Sequence, residues 1–104
     1  MFTVGIATYD DFSGLYYTIQ SIRLFHPLVT EVVVIDNNPE SKDGKLNEKL
    51  CNHKGNLKIQ YIKYTEKKTS FCKGEVFKYA TNEYVVICDS HILFLPNAFD
   101  KLKN

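Results

Sequence analysis

The sequence predicts an α/β domain, a mostly parallel sheet flanked by helices, and three observations predict it. Runs of β-branched and aromatic residues alternate with stretches of helical periodicity along the chain, the pattern of parallel strands joined by crossover helices. Two runs, Glu31 to Ile35 and Tyr84 to Cys88, are dominated by valine and isoleucine without polar alternation, which suits strands covered on both faces. Three strands end in polar clusters that carry an acid, and open parallel sheets bind ligands at the carboxyl ends of their strands.

In order, Phe2 to Ala7 is a short β-rich run with Gly5 as a point of close approach. It leads into Thr8-Tyr9-Asp10-Asp11. Asp11 or Ser13 caps the helix that follows, and there Leu15, Ile19, Ile22 and Phe25 recur at three- and four-residue spacing, so one stripe faces a core. His26-Pro27 stops that helix, because a residue before proline avoids helical angles. Glu31 to Ile35 is a central strand ending in Asp36, and residues 37–44 read as a loop. Lys45 to His53 carries Leu46 and Leu50 four apart, a short surface helix. Leu57 to Ile62 alternates apolar and polar residues, a strand near an edge. Ser70 to Thr81 reads as a helix with Phe71, Val76, Phe77 and Ala80 toward the core. Gly74 weakens it by about 1 kcal/mol relative to alanine, and Asn82 ends it. After the strand Tyr84 to Cys88, Ile92 to Leu95 is a short apolar segment, and Pro96-Asn97 opens a last helix over Ala98 to Lys103.

A chain of 104 residues with 44% apolar and 24% charged residues is one globular domain over 1–104. A net charge of +1 supplies no field for nucleic acid or an anionic membrane. No apolar run reaches membrane length, and the amino terminus enters a strand pattern without a signal-peptide layout. The three cysteines, Cys51, Cys72 and Cys88, are odd in number and spaced for neither a zinc site nor a disulfide scaffold. Cys88 reads as a small buried hydrophobe, and a reducing, cytoplasmic setting is expected.

Three strand ends deliver polar groups to one sheet edge: Thr8 to Asp11, Asp36-Asn37, and Asp89-Ser90-His91. One acid at a strand end is ordinary turn chemistry, but three on one edge form a concave polar site. No P-loop and no G-x-G-x-x-G follows the first strand, so a nucleotide's phosphates would need a cation. Asp89 and His91 are spaced to converge on one, manganese or magnesium by the carboxylate, with the imidazole favouring manganese. The alternative is a turn-forming Asp-Ser pair beside a solvated histidine. Asp36 either accepts hydrogen bonds from a base or ribose or caps the turn after it. Lys73 either meets phosphate as a mobile charge or is solvated, and Lys67 and Lys68 read as solvated. Cys72 lies where a thiol pKa falls, but no positioned histidine accompanies it. His26 and His53 read as surface residues.

The succession Thr3-Val-Gly-Ile-Ala-Thr-Tyr-Asp10, Glu31-Val-Val-Val-Ile-Asp-Asn-Asn38 and Asn82-Glu-Tyr-Val-Val-Ile-Cys-Asp-Ser-His91 resembles the nucleotide-sugar-binding half of GT-A glycosyltransferases. The nearest likeness is to the large inverting family that includes cellulose and chitin synthases. Acid-x-histidine is similar to the manganese motif of polypeptide N-acetylgalactosaminyltransferases. The resemblance covers Phe2 to about Phe99. It implies a minimal GT-A, Rossmann-like sandwich and a UDP-sugar ligand, UDP-glucose by preference. Thr8 and Tyr9 would line the uracil pocket, with Asp10 in the nucleotide-binding set. Asp36 would bind base or ribose, Lys73 would lie near the diphosphate, Asp89 would face ribose and metal, and His91 would ligate the metal. Gly74 and Val76 stand where the family usually has asparagine and glycine, and Asn82 where it often has glycine.

Family catalytic domains continue with an acceptor-side half that has no counterpart here. The resemblance therefore implies metal-dependent UDP-sugar binding with at most slow hydrolysis to UDP and free sugar. A second hypothesis is a non-catalytic remnant or an interaction module of a larger polypeptide, associating through an unprotected sheet edge as a homodimer or with a missing acceptor-side domain. A receiver domain ranks last, because no lysine ends a fifth strand.

Overall fold

Four parallel strands form one sheet in the order β3-β2-β1-β4, seen in a computed structural model that describes residues 1–52, 55, 57–65 and 73–90, the side chain of Lys73 excepted. The elements are β1 (Phe2–Thr8), α1 (Phe12–Phe25), β2 (Val29–Asp36), α2 (Lys42–Cys51), β3 (Lys58–Lys63), a 3₁₀ turn (Lys73–Glu75), α3 (Val76–Tyr79) and β4 (Tyr84–Asp89). Helices α1 and α2 cover one face, where Leu15, Ile19, Ile22 and Cys51 pack on Val4, Ile6, Val32 and Val34. The short α3 covers the other, with Val76 and Tyr64 on Val33 and Ile35. The expected α/β class and parallel sheet flanked by helices are what the chain forms. Among the described residues β3 lies at an edge, as alternation predicts.

Several local expectations are corrected. Of the two expected caps of α1 the chain uses Asp11, whose Oδ1 accepts the Gly14 N–H at 3.0 Å. Phe25 is 51% exposed and His26 only 3%. Continuing Leu15, Ile19 and Ile22 by the four-residue step reaches His26 rather than Phe25, so the histidine turns under the stripe. Helix α2 starts earlier than expected, because Ser41 caps it by accepting the Gly44 N–H at 2.9 Å. Its buried face is therefore Gly44, Asn47 and Cys51, while Leu46 is exposed. Helix α3 stops at Tyr79, with Ala80 extended, and Phe77 is 63% exposed. That end is set by Glu31, whose carboxylate accepts the Thr81 N–H at 2.8 Å and its hydroxyl at 3.0 Å. Among the described residues β4 is an edge strand, half-buried rather than covered on both faces, and Cys88 is half-buried with it. The expectations for Phe71, Cys72, His53, Lys67, Lys68, Ile92 to Leu95 and the last helix lie outside the described residues.

Gly5 is the close approach the sequence points to. A Cβ there would stand 2.5 Å from both methyls of buried Val76. The room that Val76 needs is supplied by the strand beneath it. Gly5→Ala is expected to destabilise by about 1–3 kcal/mol through overpacking, offset by less than about 1 kcal/mol of backbone entropy. Thermal melts of a double-mutant cycle check this: in a Val76→Ala background the Gly5→Ala penalty should largely vanish. No helix among the described residues is long and apolar enough to cross a membrane.

Candidate functional site at the carboxyl edge

The chain runs β1 to β2 to β3 in one direction and then returns to place β4 on the other side of β1. The gap between β1 and β4 is thus the topological switch point, where loops diverge and leave a crevice. Register brings the expected residues to that edge: Thr8 pairs with Asp36 and Ala7 with Asp89. Strand alternation separates their faces. Thr8 and Asp36 continue the α1 side, after Ile6 and Val34, whereas Asp89 continues Val85 and Ile87 on the α3 side.

Thr8 is buried, and its hydroxyl has no hydrogen-bond partner among the described residues. Such an atom is costly unless something outside the fold pairs with it. Tyr9, next to it, is 61% exposed. Asp10 follows in the left-handed region with φ 49°, a conformation that aspartate tolerates better than most residues. Asp36 is fully buried. Its Oδ1 accepts the Asn38 N–H at 2.9 Å and its Oδ2 the Tyr61 hydroxyl at 2.6 Å, so the turn-capping role is realised and a second partner is added from β3. Burial, together with the bond to Asp36, pushes the Tyr61 hydroxyl above its ordinary pKa. Burial, reinforced by Asp36 and Glu48, pushes the Cys51 thiol up to about 12 against the opposing pull of Arg23. Cys51 is therefore protonated at neutral pH and is no nucleophile.

The end of β4 is docked onto α1 through Ser90. Its N–H donates to the Ala7 carbonyl at 3.1 Å, its hydroxyl to Asp11 Oδ2 at 2.7 Å, and its carbonyl accepts the Thr18 hydroxyl at 2.7 Å. A Cβ on Gly14 would collide with the Asp11 carboxylate and lie 2.9 Å from the Ser90 carbonyl oxygen, so glycine permits this docking. Asp43 ties the same corner to α2: its carboxylate accepts the Phe12 N–H at 3.1 Å, while its own N–H donates to Asp10 Oδ1 at 3.2 Å. Asp11 and Ser90 belong to the polar strand ends that the sequence marks, whereas Asp43 and Tyr61 shape the edge without being marked by any local pattern.

Asp89 is half-buried at the last position of β4, an oxygen donor of the type hard divalent cations accept. His91 lies outside the described residues. Among the described residues no group of three or more His, Cys, Asp or Glu is gathered to hold a metal, so Asp89 is the described half of the expected pair. Lys73 heads the 3₁₀ turn before Val76, and that turn packs on β1. A family model, glycosyl transferase family 2, matches residues 3–104. No curated protein matches the chain.

Proposed function

The chain belongs to glycosyl transferase family 2, and on that premise we propose that it binds a UDP-sugar, UDP-glucose by preference, at the carboxyl edge of its sheet with a divalent cation, manganese before magnesium. The observation that carries this reading is the switch point. There Thr8, a buried hydroxyl without a partner among the described residues, and the exposed Tyr9 end β1 where it pairs with β4 at half-buried Asp89, whose side chain lies on the opposite face from that of Thr8. Tyr9 offers a stacking face to the base and Thr8 a hydroxyl to its polar edge. Asp36, already holding Asn38 and Tyr61, sets the wall against which the base or ribose lies. Asp89, with His91, would hold the cation, which neutralises charge on a departing diphosphate. Lys73 would contribute a positive charge to the same phosphates, as the resemblance implies.

The likeness to inverting synthases points to displacement at C1 from the face opposite the diphosphate. The other described carboxylates of the edge, Asp10, Asp11, Asp36 and Asp43, accept hydrogen bonds that hold the loops. Each already holds a loop, and none is proposed as the base for an acceptor alcohol. Water is then the acceptor we expect: its oxygen bonds to C1, the C1–O bond to the diphosphate breaks, a proton passes to solvent, and UDP and free sugar leave slowly. Calorimetry with UDP, with and without manganese, is the test. Saturable heat that chelator abolishes is expected. No heat up to millimolar UDP, or equal affinity in chelator, would sink the cation-bridged reading. Full manganese dependence in His91→Ala would remove that residue from the site.

A further inference from the structure

We infer that Asp43 is a positioning residue for the Tyr9–Asp10 corner, holding Tyr9 exposed at the carboxyl edge of the sheet from a different βα unit. The placement of Tyr9 is a statement about the fold. Its use against a base rests on the nucleotide-sugar reading above. Asp43 brackets the corner from both ends: its N–H binds the Asp10 carboxylate, and its carboxylate binds the N–H of Phe12. Phe12 is the first residue of α1 and Asp43 the second of α2. Both are backbone donors that a helix leaves unpaired in its first turn. Asp11 satisfies the Gly14 N–H, two residues further along α1, so Asp43 supplies what the helix's own cap does not reach. Between the brackets Asp10 is in the left-handed region. Such a residue persists only where its surroundings over-determine it. The kink turns the chain from β1 into α1 and leaves Tyr9 outside while Thr8 stays buried.

The side chain of Asp43 touches neither Thr8 nor Tyr9 in any hydrogen bond, so its effect must pass through the backbone of residues 10–12. This separates it from a ligand-binding group. The conservative amide keeps an oxygen for the Phe12 N–H, and glycine at position 10 keeps the left-handed turn while deleting the carboxylate.

Tyrosine-labelled protein, with the Tyr9 ring signals assigned by Tyr9→Phe, gives a readout that needs no ligand. In Asp43→Ala and in Asp10→Gly the Tyr9 signals should move toward free-tyrosine values, while those of Tyr61 and Tyr64 stay in place. Asp43→Asn should restore them. In parallel, UDP affinity with manganese should fall about tenfold in Asp43→Ala, the scale of one charge-assisted hydrogen bond, and return to within about threefold in Asp43→Asn. Unmoved Tyr9 signals in Asp43→Ala and Asp10→Gly overturn the inference, whatever happens to the melting temperature. Should Asp43→Ala not fold, Asp10→Gly and Asp43→Asn decide it. If the native chain binds no UDP while the Tyr9 signals respond as stated, the nucleotide reading fails and the clamp stands.

Discussion

Glu31→Ala is expected to destabilise the domain by about 3–5 kcal/mol, a large share of the roughly 5–15 kcal/mol that holds such a domain together. Glu31 is 1% exposed in β2, where a lone carboxylate is strongly disfavoured. It is not alone. The Thr3 hydroxyl reaches it at 2.7 Å, the Thr81 N–H at 2.8 Å, the Thr81 hydroxyl and the Gln60 amide each at 3.0 Å, and the Lys58 ammonium at 3.1 Å. Burial by itself would raise its pKa, but the bonds from Thr81, Thr3 and Lys58 outweigh it and hold the carboxyl at about 2 against an ordinary 4.5. That difference corresponds to about 3 kcal/mol of linked stability. The folded pKa is depressed, so the contribution is complete above pH 4.5 and is lost as pH falls from there toward about 2. Urea titrations at pH 7 and pH 3 check both statements: the native chain should lose stability between them, and the gap between native and Glu31→Ala should shrink. Lys58→Ala should cost no more than about 1 kcal/mol, since that ammonium is 57% exposed and solvent screens it. A Glu31→Ala penalty no larger than that of Lys58→Ala would show the network to be incidental.

The layout of the sheet was legible because it depends on short-range pattern. Consecutive valines and isoleucines mark β2 as a strand buried on two faces, while the same pattern in Tyr84 to Cys88 marks a strand but not its half-buried place at an edge of the described sheet. The alternating run Leu57 to Ile62 marks an edge. Gly5 was legible for the same reason, an isolated glycine within an apolar run. The Glu31 network was not. Its partners lie 28, 29 and 50 positions away, and its acid looks like any other at the start of a strand. Helix α3 was overdrawn because that same distant carboxylate takes Thr81 out of the helix. Within the site, Thr8, Asp36 and Asp89 were legible as strand ends, and register brings them to one edge. Their division between the two faces followed from alternation and was missed because the ends were treated as points. Ser90 and Asp43 act by hydrogen bonds to residues far away in the sequence, which leaves no local motif. Asn82, where the resembled family often has glycine, uses its amide to bind the hydroxyls of Thr3 and Thr30 at 3.1 and 2.9 Å. The departure is thus a side-chain bond that glycine cannot make.

Asp89→Ala is expected to abolish manganese-dependent UDP binding, weakening it at least about 100-fold, while leaving the fold nearly intact. The size follows from the role. A carboxylate that holds a divalent cation against a diphosphate is worth several kcal/mol, and each 1.4 kcal/mol is about a factor of ten in affinity. The small effect on the fold follows from position. Asp89 ends β4, half-buried at an edge among the described residues, and the docking of β4 onto α1 runs through Ser90, Thr18 and Asp11 instead. Asp36 gives the opposite balance. It is fully buried and holds both Asn38 and Tyr61, so Asp36→Ala unpairs the Asn38 N–H and leaves the Tyr61 hydroxyl only its longer bond to the Gly44 carbonyl at 3.2 Å, costs about 1–3 kcal/mol of stability, and confounds any loss of binding with a displaced β3. Asp89→Asn sharpens the comparison, keeping shape and hydrogen bonding while removing the charge. Calorimetry with UDP across a manganese series, run beside thermal melts, separates these cases. Loss of binding in Asp89→Ala and Asp89→Asn at an unchanged melting temperature assigns the cation to this strand end. Undiminished manganese dependence in both variants would place the cation elsewhere.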